Sequence, residues 1–321
     1  MEELDIAIVG AGPTGLATAI EANRRGLTYL VFDKGCITNS ILGFPTHMVF
    51  FTTPELLEIG NIPLTSDREK PTRNEALKYY RKVVGVFGLK VKQYEEVRRI
   101  EQTSSHRFRV ETVRDQYAAK NIVIATGYYD NPNMLGIPGE DLPHVSHYYS
   151  EPYSFFDRDV VIVGGRNSAA EAALDLFRGG ARVTLVHRGA EMGSTLKYWV
   201  RPDIENRIKA GEVKALFNTL VKEITPSTVE VVQGGTTQSL GANQVFLLTG
   251  YRSSTVFFHQ LGVKYDSETL RPQHSTDTYE TNIPGVYLAG SVTGGKFNSE
   301  VFIENGRFHG ERVVKTIAGE N

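Results

Sequence analysis

Apolar residues in this chain fall into short continuous runs, separated by stretches in which they recur every three or four positions. That alternation predicts buried strands interleaved with one-sided helices. Ile6, Ala7, Ile8 and Val9 form the first run, a glycine-rich turn follows, and residues 16–25 carry a helical pattern stopped by Gly26. Tyr29, Leu30, Val31 and Phe32 then make a second strand. Strand, helix and strand in that order form a βαβ unit, which leads to a parallel sheet. The order recurs downstream as strand 160–163, helix 168–178 closed by Gly179-Gly180, and strand 183–186. The predicted fold class is α/β, with two Rossmann-like nucleotide-binding domains of the three-layer FAD/NAD(P)-binding type. Apolar strands at 123–127 and 247–250 each end in Thr-Gly. A third, 285–290, runs through Ser291 towards a predicted helix over 300–317. Linkers near 128–132 and 250–254 divide the chain into a discontinuous first domain, 1–128 with 252–321, and an inserted second domain, 129–251.

Composition narrows the class. The chain is long enough for two cores, and its 40% hydrophobic and 22% charged residues suit a folded protein. A net charge of −2 gives no pull towards nucleic acid or anionic lipid. No apolar run reaches the length of a membrane span. The acidic start runs straight into a strand, which argues against a signal peptide. The single cysteine, Cys36, cannot form an internal disulfide and fits a reducing cytoplasm, the expected location.

Gly10-Ala11-Gly12-Pro13-Thr14-Gly15 fits G-x-G-x-x-G between a strand and a helix. Gly10 permits the turn, Gly12 lets backbone approach a pyrophosphate, and Gly15 allows close helix–strand contact. Free N–H groups and the helix dipole at the start of the helix that Pro13 and Thr14 open, though not the proline itself, favour phosphate. Asp33, at the end of the second strand, is placed to accept hydrogen bonds from ribose hydroxyls. These features do not by themselves separate FAD from NAD.

Gly164-Gly165-Arg166-Asn167-Ser168-Ala169 also joins a strand to a helix, with Arg166 replacing the middle glycine. The interval from Gly10 to Asp33, counted from Gly164, lands on His187, followed by Arg188. An acid there would repel a 2′-phosphate, whereas His187, Arg188 and Arg166 can pair with one. NADPH is therefore the predicted second nucleotide. Opposite charges at matched positions point to two ligands, a nicotinamide donor and a flavin acceptor.

The two glycine loops and three glycine-ended strands, in this order, resemble the flavin-dependent pyridine-nucleotide reductases. Within that group the length resembles thioredoxin reductase, but the dithiol C-x-x-C ahead of the second loop is missing. The matching stretch is His144-Val145-Ser146-His147-Tyr148-Tyr149-Ser150. The chain more closely resembles the YpdA-like bacillithiol disulfide reductases, through Asn39-Ser40-Ile41, Phe44-Pro45-Thr46-His47, and the stretches 53–60, 70–73, 164–169, 199–207 and 302–310. The resemblance implies tightly bound FAD, NADPH as donor, and a low-molecular-weight disulfide as substrate of a homodimer or homotetramer. It adds Lys34, Asn39, Ser40, His47, Val97, Thr126, Gly127, Gly290 and Ser291 to the FAD contacts. It likewise adds Asn167, Ser168, Ala169 and Gly250 to those of NADPH. Thr14 stands where family members carry a cysteine, and Ser291 where the superfamily has an acid. His47 is a candidate proton donor, set against a buried, hydrogen-bonded histidine; Cys36 is read as structural. The alternative activities are an NADPH-dependent reductase of ferredoxin- or flavodoxin-type proteins and a non-catalytic NADPH sensor or scaffold.

Overall fold

The computed structural model describes residues 3–104, 107–297 and 299–320. They form two compact units. One comprises Met1–Gly43, Met48–Asn131 and Tyr251–Asn321; the other comprises Phe44–His47 and Pro132–Gly250. The short 44–47 segment, which the sequence groups with the first domain, lies in the second unit.

The first unit opens with β1 (Glu3–Val9), α1 (Pro13–Arg24), β2 (Tyr29–Phe32), α2 (Asn39–Leu42), α3 (Pro54–Leu57) and α4 (Arg73–Phe87). It continues through β3 (Val91–Lys92), β4 (Val97–Ser104), β5 (Arg107–Thr112) and β6 (Gln116–Ile124). Helix α1 starts earlier than the apolar pattern suggests, because Pro13 has the helical φ and needs no N–H partner in the first turn. Its buried residues include Gly15, Ala17, Ala19 and Ala22, so its axis can lie close to the sheet.

The second unit contains β7 (Val145–Ser146), β8 (Asp159–Val163), α5 (Asn167–Arg178), β9 (Arg182–Val186), α6 (Arg201–Lys209) and β10 (Lys214–Leu216). An antiparallel meander, β11 (Thr219–Ile224), β12 (Thr228–Gln233) and β13 (Thr236–Gly241), precedes β14 (Gln244–Leu247). The five-stranded sheet has the order β10-β9-β8-β14-β7 and all its pairings are parallel. Val160, Ile162, Leu185 and the alanines of α5 form a core on one side; Val161, Val163 and Val186 join the meander's Val229 and Val231 on the other.

The chain then completes the first unit with α7 (Val256–Leu261), β15 (Val286–Leu288), α8 (Ile303–Gly306) and α9 (His309–Ile317). That unit's sheet has the order β3-β2-β1-β6-β5-β4, with β15 also on β6. Strand β6 divides its edge: residues 116–119 pair antiparallel with β5, and 122–124 pair parallel with β15. The single helix predicted over 300–317 is two helices. Gly306 lies close against Thr14 and Gly290, and the Arg307 guanidinium donates to the carbonyls of Glu55 and Glu58, both at 2.7 Å. Among the described residues no helix is long and apolar enough to cross a membrane.

Candidate functional site

The loop after β1 is packed on one side and open on the other. A β-carbon added at Gly10 (φ +112°) or Gly15 would stand under 3.0 Å from backbone oxygen, of Ala125 and Gly10 respectively. At Gly12 it would meet nothing within 4 Å. Gly12 is also the N-cap of α1 and supplies no side chain to the helix's free N–H groups. Open space beside Gly12 and an uncapped helix start are what an approaching phosphate requires. The residues present therefore fit a dinucleotide.

Asp33, the expected ribose contact, is already hydrogen-bonded within the protein. Its Oδ2 accepts the Ala11 N–H at 2.7 Å and its Oδ1 accepts the Gly35 N–H at 2.8 Å. The carboxylate thus ties the glycine loop to the end of β2 and keeps its remaining lone pairs for a ligand. Burial raises its pKa above the ordinary aspartate value, against these two hydrogen bonds. Lys34, an expected cofactor contact, forms an ion pair with Asp130 at 3.1 Å. Cys36 Sγ lies 3.5 Å from the Ile37 carbonyl and 3.8 Å from Asn39 Oδ1. Burial, then the Asp33 charge, raise its thiol pKa, the opposite of what an attacking thiolate needs.

Asn39 and Ser40 open α2 and are half-buried, and Val97 is buried at the start of β4. Thr126 and Gly127 follow β6, with Gly127 facing the Ser291 hydroxyl. The Thr14 side chain packs against Gly290 and Gly306, so β15's turn, α1 and α8 meet there. His47 is exposed, edge-on to Tyr153 with ring centroids 6.0 Å apart. The buried, hydrogen-bonded histidine set against its proton-donor reading is not what the structure contains.

In the second unit Gly164 packs against the Leu248 carbonyl and Ala169, the same close approach as at the first loop. Arg166 caps α5 by position only, its side chain making no cap bond. The His187 ring occupies the space beside both Gly165 and Gly189. Burial, then the charges of Arg188 and Arg166, lower its pKa below the ordinary 6.5. Near neutral pH the positive charge therefore rests on the exposed Arg166 and Arg188, with His187 a neutral wall. Asn167 is spent on the following loop: Oδ1 accepts the Lys197 N–H at 2.9 Å and Nδ2 donates to the Thr195 carbonyl at 3.3 Å. Ser168 is exposed at the start of α5, and the Gly250 carbonyl accepts the Asn133 N–H at 2.9 Å.

Residues 7–290 match the family model described as pyridine nucleotide-disulphide oxidoreductase. The chain belongs to that family. Membership makes it an oxidoreductase and implies a flavin and a nicotinamide nucleotide as cofactors. Within the pyridine nucleotide-disulphide oxidoreductases, it is 42% identical over 313 residues to bacilliredoxin reductase Bdr of Bacillus subtilis (strain 168), covering 97% of this chain and 96% of that protein. The solved structure of bacillithiol disulfide reductase Bdr (YpdA) from Bacillus cereus matches with a TM-score of 0.97 and 42% identity, covering both chains completely. Its counterpart from Staphylococcus aureus matches at 0.95 and 37%, again over both whole chains. The α/β class and the YpdA-like resemblance expected from the sequence are both borne out.

His309, absent from the expected site residues, is the group that sequence reasoning missed: its Nδ1 accepts the Gly290 N–H at 3.1 Å.

Proposed function

We propose that this chain is an FAD-containing, NADPH-dependent reductase of a low-molecular-weight thiol disulfide, of the bacillithiol type. The observation that carries this reading is the charge contrast at two matched strand ends. A carboxylate, Asp33, is bonded into the first glycine loop, whereas two exposed guanidiniums, Arg166 and Arg188, flank the second. The relatives named as Bdr support the substrate class.

On this reading Gly10, Gly12, Thr14, Asp33, Gly290 and Ser291 hold FAD, and Gly164, Gly165, Arg166 and Arg188 hold NADPH. Bound FAD supplies a two-electron relay from nicotinamide to disulfide. The balance is one NADPH, one proton and one disulfide giving NADP⁺ and two thiols. The protein supplies orientation and electrostatics. With a single cysteine the chain holds no dithiol, so both electrons reach the substrate without an enzyme disulfide between.

Anaerobic stopped-flow absorbance tests the reading. NADPH should bleach the flavin and bacillithiol disulfide should restore its colour faster than ferredoxin does. A flavin that NADPH leaves oxidised refutes the donor assignment, and preferential reoxidation by ferredoxin refutes the substrate.

A further inference from the structure

The turn after β15 is held from behind by a side chain outside both glycine loops. Gly290, at φ +81°, donates its N–H to Nδ1 of His309, the first residue of α9. An acceptor Nδ1 carries no proton, so this imidazole is neutral with hydrogen on Nε2. His309 is only 7% exposed. Burial, then Arg312 and His274, bring its pKa down to about 4, which agrees with the tautomer the hydrogen bond demands.

Behind His309 stands a stack of rings. Tyr279 lies over it with centroids 4.1 Å apart and planes at 18°, and His274 lies against Tyr279 at 5.8 Å and 15°. Tyr279 has a left-handed backbone, φ 59°. A bulky residue keeps that conformation only where its surroundings over-determine it, and such residues gather at functional sites. The Tyr279 carbonyl accepts the Leu288 N–H at 3.0 Å, which stitches the strained residue to β15 itself. The next residue along α9, Gly310, packs against Thr18 of α1. The hydrogen bond thus holds the Gly290 peptide directly, the stack braces His309 behind it, and the strained Tyr279 is tied to Leu288 two residues before it.

We propose that His309 is a positioning residue for the flavin: its bare Nδ1 and the Tyr279–His274 stack fix the Gly290 peptide, so that Gly290 and Ser291 face the cofactor in one geometry. This rests on the proposed function, in which those two residues contact FAD. His309 touches neither the cofactor nor the substrate. It acts through Gly290.

The test compares holoproteins. FAD release is followed by the rise of free-flavin fluorescence on dilution, with the visible spectrum and midpoint potential of the bound flavin recorded beside it. His309→Leu removes the acceptor and should release FAD about tenfold faster, the usual consequence of orphaning a buried N–H. His309→Asn restores an acceptor near Nδ1 and should return release to within about threefold of wild type. If His309→Leu does not fold, Tyr279→Leu, which removes the ring support and leaves Nδ1, should speed release a few-fold and shift the potential. Leucine variants with wild-type release, spectrum and potential overturn the proposal while leaving the proposed function standing. A wild-type protein that binds no FAD overturns both.

Discussion

His187 lies so close beside Gly165 that a β-carbon at the glycine would stand under 3.0 Å from three atoms of the imidazole ring. The ring fills the space a side chain would otherwise take and closes one side of the second glycine loop. Gly165→Ala should therefore push His187 aside and disturb the loop without touching Arg188. The expected result is a rise of about tenfold in the KM for NADPH, the cost of a misplaced charge-assisted contact. Nicotinamide kinetics identical to wild type would show that the ring's position is immaterial to binding.

Arg188 and Arg166 carry the charge that His187 does not. Arg188→Ala should raise the KM for NADPH by at least about tenfold and leave that for NADH within about twofold, since only NADPH has the 2′-phosphate. Parallel losses with both nucleotides would remove the 2′-phosphate assignment.

Two glycines of the first loop should part company when replaced. A methyl at Gly15 has no room, so Gly15→Ala should lower stability by several kcal/mol or prevent folding. A methyl at Gly12 has open space, so Gly12→Ala should melt within a few degrees of wild-type apoprotein yet purify with little flavin. Thermal melting beside the flavin-to-protein ratio separates these outcomes; a yellow Gly12→Ala protein would contradict the pyrophosphate reading.

These contrasts show what the chain's letters reveal and what they hide. Both glycine loops, their strands and the matched positions Asp33 and His187 were legible because short-range spacing encodes them. The neutrality of His187 was not, since it depends on burial against Gly165 and Gly189. Asn167 stands among the expected NADPH contacts, and its side chain is bonded to Thr195 and Lys197, which no local pattern announces. The break between α8 and α9 interrupts the predicted helix beside Gly306, which packs against Thr14 near the other end of the chain. The bond from Gly290 to His309 likewise links positions that share no periodicity.

His309 also shapes the acid limb of stability. Its folded pKa of about 4 lies below the 6.5 of the free side chain. Between those values the unfolded chain binds more protons, so stability falls as pH drops from about 6.5 towards 4. From pH 7 to 4.5 the loss from this one group is about 2–3 kcal/mol. His309→Asn lacks it. Urea unfolding at both pH values should show the wild-type advantage over the variant shrinking by that amount on acidification; a gap that does not move would mean that His309 takes up its proton without penalty.

Cys36 should prove dispensable. Its thiol pKa is raised, and its neighbours are a carbonyl, an amide oxygen and a carboxylate. Cys36→Ser should keep NADPH-dependent disulfide reduction within about twofold, and the wild-type thiol should alkylate slowly at pH 7. A loss of more than about tenfold in kcat would make the thiol a participant and end the relay-free scheme.

The divided edge of β6 has a consequence for how the polypeptide matures. Residues 122–124 wait for β15, whose residues 286–288 leave the ribosome only after the whole stretch 132–250 has been made. The inserted unit can thus finish folding while its host still lacks a strand, and the host's apolar edge stays uncovered until synthesis is nearly over. Truncation before Val286 should accordingly yield an aggregating first unit, even though every residue of its amino-terminal glycine loop has already been translated.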